Sequence, residues 1–293
     1  MKNTLIYLLI TIIPLFGKGL QHDDDNFIIR DHFHYSIKGI EKLEFKIDYK
    51  MGELILKPNS NNPHEFDGFA EYTPHYFDSP IVDYTVFGKT GFIEIRTNAI
   101  DHDHEFSFNW GHDHFHNKSE YQLPLSVPIE LELEFSLGKT EIDLSGLQIQ
   151  SLDIECGMGK TTLNIKSQNS IVCKEINIEA GMGEFEGIGL SHLRAKVVNI
   201  KVGFGSADID FSGIINHDMD IEVEVGLGSI ELILPDNVNI SARIHDHFLS
   251  SVDVDNLIKK GNKYVTKDWD YNRPTIKLDM SVGLGSIDLK ISH

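Results

Sequence analysis

The stretch Ile221-Glu222-Val223-Glu224-Val225-Gly226-Leu227-Gly228-Ser229-Ile230-Glu231-Leu232-Ile233-Leu234 decides the fold. Ile221, Val223 and Val225 alternate with acids, the mark of a strand with one buried face. Alternation resumes after Gly228 at Ile230, Leu232 and Leu234, but its phase has slipped by one residue. Such a slip would turn every later side chain to the wrong face. The chain must therefore bulge or turn a corner at the glycines, where φ > 0 carries no Cβ penalty.

The same pattern recurs with its second glycine at Gly138, Gly159, Gly183, Gly205 and Gly285, and in a plainer copy at Gly52. The intervals from Gly138 to Gly228 are 21, 24, 22 and 23 residues, one short coil of chain each. A coil with one apolar face cannot bury itself, but stacked neighbours can cover it. The expectation is an all-β protein: a β-solenoid-like stack of short coils over residues 131–293, preceded by an N-terminal β-rich section over residues 20–130. The 57 residues from Gly228 to Gly285 exceed one coil, which predicts a regular coil plus an inserted loop with a short helical turn near Asn256–Asn262. Ser136 replaces the first glycine of the opening copy. In the third, Gly187 and Gly189 take the places of inward residues, which the repeat does not explain.

Residues 1–19 read as a secretory signal peptide: Lys2, an apolar run from Leu5 to Phe16, then Gly17-Lys18-Gly19. The run is shorter than the roughly 20 residues of a spanning helix. The mature chain is expected to be periplasmic or secreted, cut near Gly19, with no membrane span. The formal charge of −19 excludes nucleic acid and anionic lipid surfaces as partners and favours cations or a basic protein or peptide. Two cysteines make no disulfide framework. Cys156 occupies an inward slot and reads as a core residue, Cys173 falls off the ladder, and their pairing stays open.

From about Lys42 onward the chain resembles the toast-rack domain family. Phe45-Lys46-Ile47-Asp48-Tyr49-Lys50-Met51-Gly52-Glu53-Leu54-Ile55-Leu56 looks like the opening of such domains. So does the passage from Tyr121 to Glu130 leading into Asp143-Leu144-Ser145-Gly146-Leu147. Gly226-Leu227-Gly228-Ser229-Ile230 and Gly283-Leu284-Gly285-Ser286-Ile287 are similar to the repeat signature of these domains and of LiaF-like envelope-stress proteins. The resemblance implies a stacked β fold with its own N-terminal section and a bacterial envelope context. It also implies a role in sensing or assembly without catalytic residues. Ser136 and the histidine-rich stretch 101–116 depart from the pattern.

That stretch carries the candidate metal ligands His102, His104, His112, His114 and His116. On strands, alternate residues share a face, and a turn at Trp110-Gly111 would bring the two groups together to hold Zn²⁺, Cu²⁺ or Ni²⁺. A solvated loop is the plainer reading. Asp31-His32-Phe33-His34 and His245-Asp246-His247 echo the motif. The outward faces repeat acids: Glu132, Asp153, Glu222 and Asp279 in one row; Glu134, Glu155, Glu179 and Glu224 in the next; Glu141, Glu186, Asp208, Glu231 and Asp288 in a third. Stacked in register, these repel one another. Solvent and salt, interleaved Lys201 and asparagines, Ca²⁺ or a basic partner would relieve the repulsion. Cys156-Gly157-Met158-Gly159-Lys160-Thr161 mimics a phosphate loop, but a strand follows where a helix is required.

The functional expectation is a non-enzymatic extracytoplasmic scaffold or sensor that binds an envelope partner through its β surface, with self-association through the stack ends left open. A transition-metal-binding protein is the second reading. A glycan-active enzyme on a β-solenoid is the third, since no nucleophile–base grouping is legible.

Overall fold

The computed structural model describes residues 27–98, 116–245 and 250–292. In chain order the strands open with β1 (Ile29–Ser36), β2 (Lys42–Pro58), β3 (Glu65–Tyr72), β4 (Ile81–Phe87), β5 (Thr90–Arg96) and β6 (Asn117–Leu123). Two long strands follow, β7 (Pro128–Asp143) and β8 (Gln148–Asn164). Coils split in two come next: β9 (Glu175–Ala180) with β10 (Glu184–Ile188), β11 (Val197–Val202) with β12 (Ser206–Asp210), β13 (Met219–Val225) with β14 (Ser229–Pro235), and β15 (Asn239–His245) with β16 (Ser251–Val254). A hairpin, β17 (Leu257–Lys260) and β18 (Lys263–Thr266), precedes the last coil, β19 (Thr275–Val282) and β20 (Ser286–Ser292).

The motif-bearing coils bend at their glycines, and β15–β16 divides without one, so strand halves before and after the bend build two walls. The first wall runs β4-β5-β2-β7-β8-β9-β11-β13-β19-β15-β18-β17. The second runs β1-β3-β6-β2-β7-β8-β10-β12-β14-β20-β16. Pairing between coils is parallel and repeat on repeat: Gly52 faces Gly138, which faces Gly159. The stack thus reaches back to β2, well before the first strict copy of the motif. Inward residues of both walls form one core from Ile37 to Leu289. Tyr49 stacks on Phe135 in its first coils.

The glycines answer two demands. Gly52, Gly138 and Gly159 have φ of 126°, 128° and 133°, so β2, β7 and β8 pass through the corner as single strands. Gly183, Gly205, Gly228 and Gly285 lack positive φ, and their coils break into two strands. What unites the copies is proximity: a Cβ on Gly205 would lie 2.0 Å from the carbonyl oxygen of Gly183, and one on Gly285 1.9 Å from that of Gly228. The third copy is explained by a neighbour. A 3-10 turn at Leu190–Leu193, entered through Gly189 (φ 77°), buries Leu190 and Leu193. A side chain at Gly187 would meet Leu190 at 2.9 Å, so Leu190 fills the slot left by that glycine.

The interval before Gly285 differs from expectation. Residues 257–266 form the β17–β18 hairpin around Gly261, not a helical turn. The coil β15–β16 does not follow β13–β14 in space, because β19 and β20 lie between them. The chain leaves a gap, builds the outer coil, and returns to fill the gap.

Cys156 and Cys173 are free and buried. Burial pushes the Cys156 thiol up to about 11 and the Cys173 thiol up to about 12. Thiolate is the reactive form. An alkylating reagent at pH 8 should label neither cysteine in the native chain and both in denaturant. Native labelling at the denatured rate would contradict this packing.

Candidate functional site

The residue just before the second corner glycine is apolar in every copy of the motif: Met51, Leu137, Met158, Met182, Phe204, Leu227 and Leu284. It sits out of phase with the inward ladder, so the fold points it outward. Met158, Met182, Phe204, Leu227 and Leu284 are 47–69% exposed. Each is locked to the coil before it: Met182 N–H donates to Gly157 O at 2.9 Å, Phe204 N–H to Gly181 O at 2.7 Å, Leu227 N–H to Gly203 O at 2.8 Å and Leu284 N–H to Gly226 O at 2.9 Å. The side chains consequently form a ridge along the corner, one coil spacing apart. Beside it runs an open groove of about 1140 Å³, floored by Gly183, Gly205, Gly228 and Gly285 and edged by Ser206, Ser229 and Ser286. Scattered exposed apolar residues are ordinary on a protein surface, whereas a contiguous row marks an interaction site.

Acids flank this ridge on both sides. On the first wall, register places Glu134, Glu155, Glu179, Lys201, Glu224 and Ser281 side by side. On the second it aligns Glu141, Thr162, Glu186, Asp208, Glu231, Asp288 and Asp253. Burial, then Glu179, Glu134 and Asp153, raises the pKa of Glu155. Burial, then Glu231, Glu186 and Glu184, raises that of Asp208 despite Lys160. Part of the repulsion is relieved inside the protein. Lys290 lies 2.7 Å from Glu231 and 3.0 Å from Asp288, and Asn199 Nδ2 donates to Asn177 Oδ1 at 2.8 Å.

A carboxylate whose folded pKa is raised contributes most below its unfolded value, and that contribution is lost as pH rises through the folded value. At pH 7 the Asp208 charge therefore opposes folding. Asp208→Asn should raise the melting temperature at low salt by the equivalent of a few tenths of a kcal/mol, with the gain shrinking at 1 M salt and vanishing at pH 3. A lowered melting temperature at pH 7 and low salt would refute the ladder account.

Of the expected metal ligands, His102, His104, His112 and His114 lie outside the described residues. His116 immediately precedes β6 and faces Glu71 of β3, with its Nε2 3.6 Å from the carboxylate. His245 is 3.3 Å from Asp279. The echo motif at His34 takes part in a cluster that sequence alone did not assemble, since its partners Glu65 and Asp67 come from β3. The three ligand atoms lie within 4.8 Å of one another. Asp67 is already held by His34 Nδ1 at 2.6 Å and by Nδ2 of buried Asn59 at 2.5 Å, so internal hydrogen bonds account for this arrangement. The phosphate-loop mimic is part of the continuous strand β8, and Lys160 is turned toward Glu184 and Glu186, 3.7 and 3.8 Å away.

Fold and surface define the class, an all-β stack of coils with an apolar ridge set between acidic rows. The chain belongs to the toast-rack family. Residues 20–186 match the N-terminal domain of toast_rack, DUF2154, and residues 187–289 match the C-terminal domain of the cell wall-active antibiotics response protein LiaF. Among solved structures it is similar to a candidate cell adhesion protein from Clostridium sporogenes: 20% identity, 91% of this chain, 100% of that one, TM-score 0.46. It is also similar to a candidate adhesin from Bacteroides fragilis: 15% identity, 90% of this chain, 97% of that one, TM-score 0.39. No curated protein matches the chain. No helix among the described residues is long and apolar enough to cross a membrane.

Proposed function

We propose that the chain works outside the cytoplasm as a scaffold that holds a basic envelope partner against the corner of its β stack. One observation carries the reading: five exposed apolar side chains, Met158 to Leu284, line up between two rows of acids. The apolar ridge supplies burial on docking. The acids supply steering and exclude acidic competitors. With a formal charge of −19, the complementary surface is positively charged.

The double variant Phe204→Ser/Leu227→Ser tests it. Both side chains are exposed, so its unfolding free energy should stay within about 0.5 kcal/mol of wild type. Immobilised wild-type chain exposed to a solubilised envelope fraction should retain a basic protein that the variant does not. Salt at 1 M, where the screening length is about 3 Å, should release it. Equal retention by both chains, or retention indifferent to salt, overturns the proposal.

A further inference from the structure

We infer that the occupant of the corner groove is a basic amphipathic α-helix lying along the stack axis. The inference rests on the docking reading above and adds the shape of the partner to it. Three features favour a helix over an extended strand, a lipid surface or a second copy of this chain.

The first is the state of the backbone. Along the groove, main-chain groups already bond from coil to coil: Gly203 N–H to Ala180 O, Phe204 N–H to Gly181 O, Ser206 N–H to Gly183 O, Ser229 N–H to Gly205 O and Ser286 N–H to Gly228 O, at 2.7–3.0 Å. The corner therefore offers no free edge for strand addition. An extended peptide would bring its own unpaired N–H and C=O groups against side chains alone, at a cost in desolvation. A helix satisfies its backbone internally and needs only side-chain contacts.

The second is spacing. Ridge residues follow one another at the coil repeat, roughly 4.8 Å. Successive turns of a helix are about 5.4 Å apart, whereas alternate residues of a strand are roughly 6.8 Å apart. A helix drifts by only about 0.6 Å per ridge step, so three successive ridge residues are met within about 1.2 Å, whereas a strand drifts by about 2 Å at each step.

The third is charge. Acid rows lie on both sides of the ridge, with Glu155, Glu179 and Glu224 exposed on one and Asp208 on the other. Two copies docked ridge to ridge would set acid against acid, and anionic lipid is repelled for the same reason. A helix with an apolar stripe bordered by Lys or Arg matches both rows.

Fluorescence anisotropy with synthetic peptides of about 16 residues and identical Leu/Lys composition tests this on the folded chain. One peptide has leucines at helical spacing, one has them strictly alternating, and one is the helical peptide with two internal prolines. The helical peptide should bind at least about tenfold more tightly than the other two and gain helical circular dichroism on binding. Phe204→Ser/Leu227→Ser should weaken it at least about tenfold. Equal or tighter binding of the alternating or proline peptide, sensitive to the double variant, overturns the helix and leaves the docking reading intact. Binding of all three that ignores the double variant overturns both. Wild-type binding to neutral phosphatidylcholine vesicles but to no peptide assigns the ridge to lipid and also overturns the inference. Failure to bind any probe overturns the helical occupant, and the envelope-retention experiment then decides the docking reading by itself.

Discussion

Gly159→Ala should unfold the middle of the stack. A Cβ at this position would lie 1.9 Å from the carbonyl oxygen of Gly138, a backbone atom held in the preceding coil. No rotamer change relieves such a contact, because the Cβ is fixed by its own backbone and the atom it meets is a main-chain oxygen. The backbone angle adds to the problem, since φ of 133° lies where L side chains rarely go. Relief requires separating two coils, which breaks ladder hydrogen bonds along β7 and β8 and opens the core beneath. A loss above about 4 kcal/mol is expected, against a total of about 5–15 kcal/mol for an ordinary domain. Gly88→Ala is the control: its φ of 64° is also positive, but a Cβ there meets nothing within 4 Å. That change should cost about 1 kcal/mol, the angle alone. Urea denaturation of the three chains makes the comparison. A midpoint for Gly159→Ala near that of Gly88→Ala would mean that the coils are not stacked glycine on glycine.

Deleting residues 275–293 should release more than the residues removed. β19 and β20 are the inner neighbours of β15 and β16, so the deletion strips β15 of its parallel partner and β16 of its partner in the second wall. It also removes the buried side chains Ile276, Leu278, Met280, Val282, Ile287 and Leu289. At about 1.5–3 kcal/mol for each, the lost burial is on the order of 10 kcal/mol, comparable to the stability of a whole domain. Hydrogen exchange should show residues 239–266 unprotected in the truncated chain, while β7 and β8, several coils away, remain protected as a one-dimensional stack allows. Persistent protection of 239–266 after the deletion would contradict the insertion of the last coil. Folding order follows from the same topology, since the outer coil cannot dock until the end of the chain has been made.

The apolar ladders, the corner glycines and the acid rows are all visible in the sequence because each is periodic. Alternation reports which side of a strand is buried, and one coil's pattern is checked by the next. Ridge residues such as Phe204 and Leu227 were equally visible as letters, but sequence alone did not assign them a role. Their signal was the odd phase: an apolar residue in every copy that cannot point inward when its neighbours at alternate positions do. The cluster of His34, Glu65 and Asp67 carried no such signal, since strand pairing between β1 and β3 brings it together.

By itself, then, the amino-acid order determined that coils stack, where each bends and which faces are apolar or acidic, because those properties are local and repeat. Only the tertiary structure decided that the last coil slips between two earlier ones, that Leu190 fills the slot beside Gly187, and that the residues between glycines join into one ridge. Those outcomes depend on which coil lies next to which in space. Parallel coils of nearly identical pattern present nearly identical faces to one another. Their sequence therefore specifies the interface without naming the neighbour.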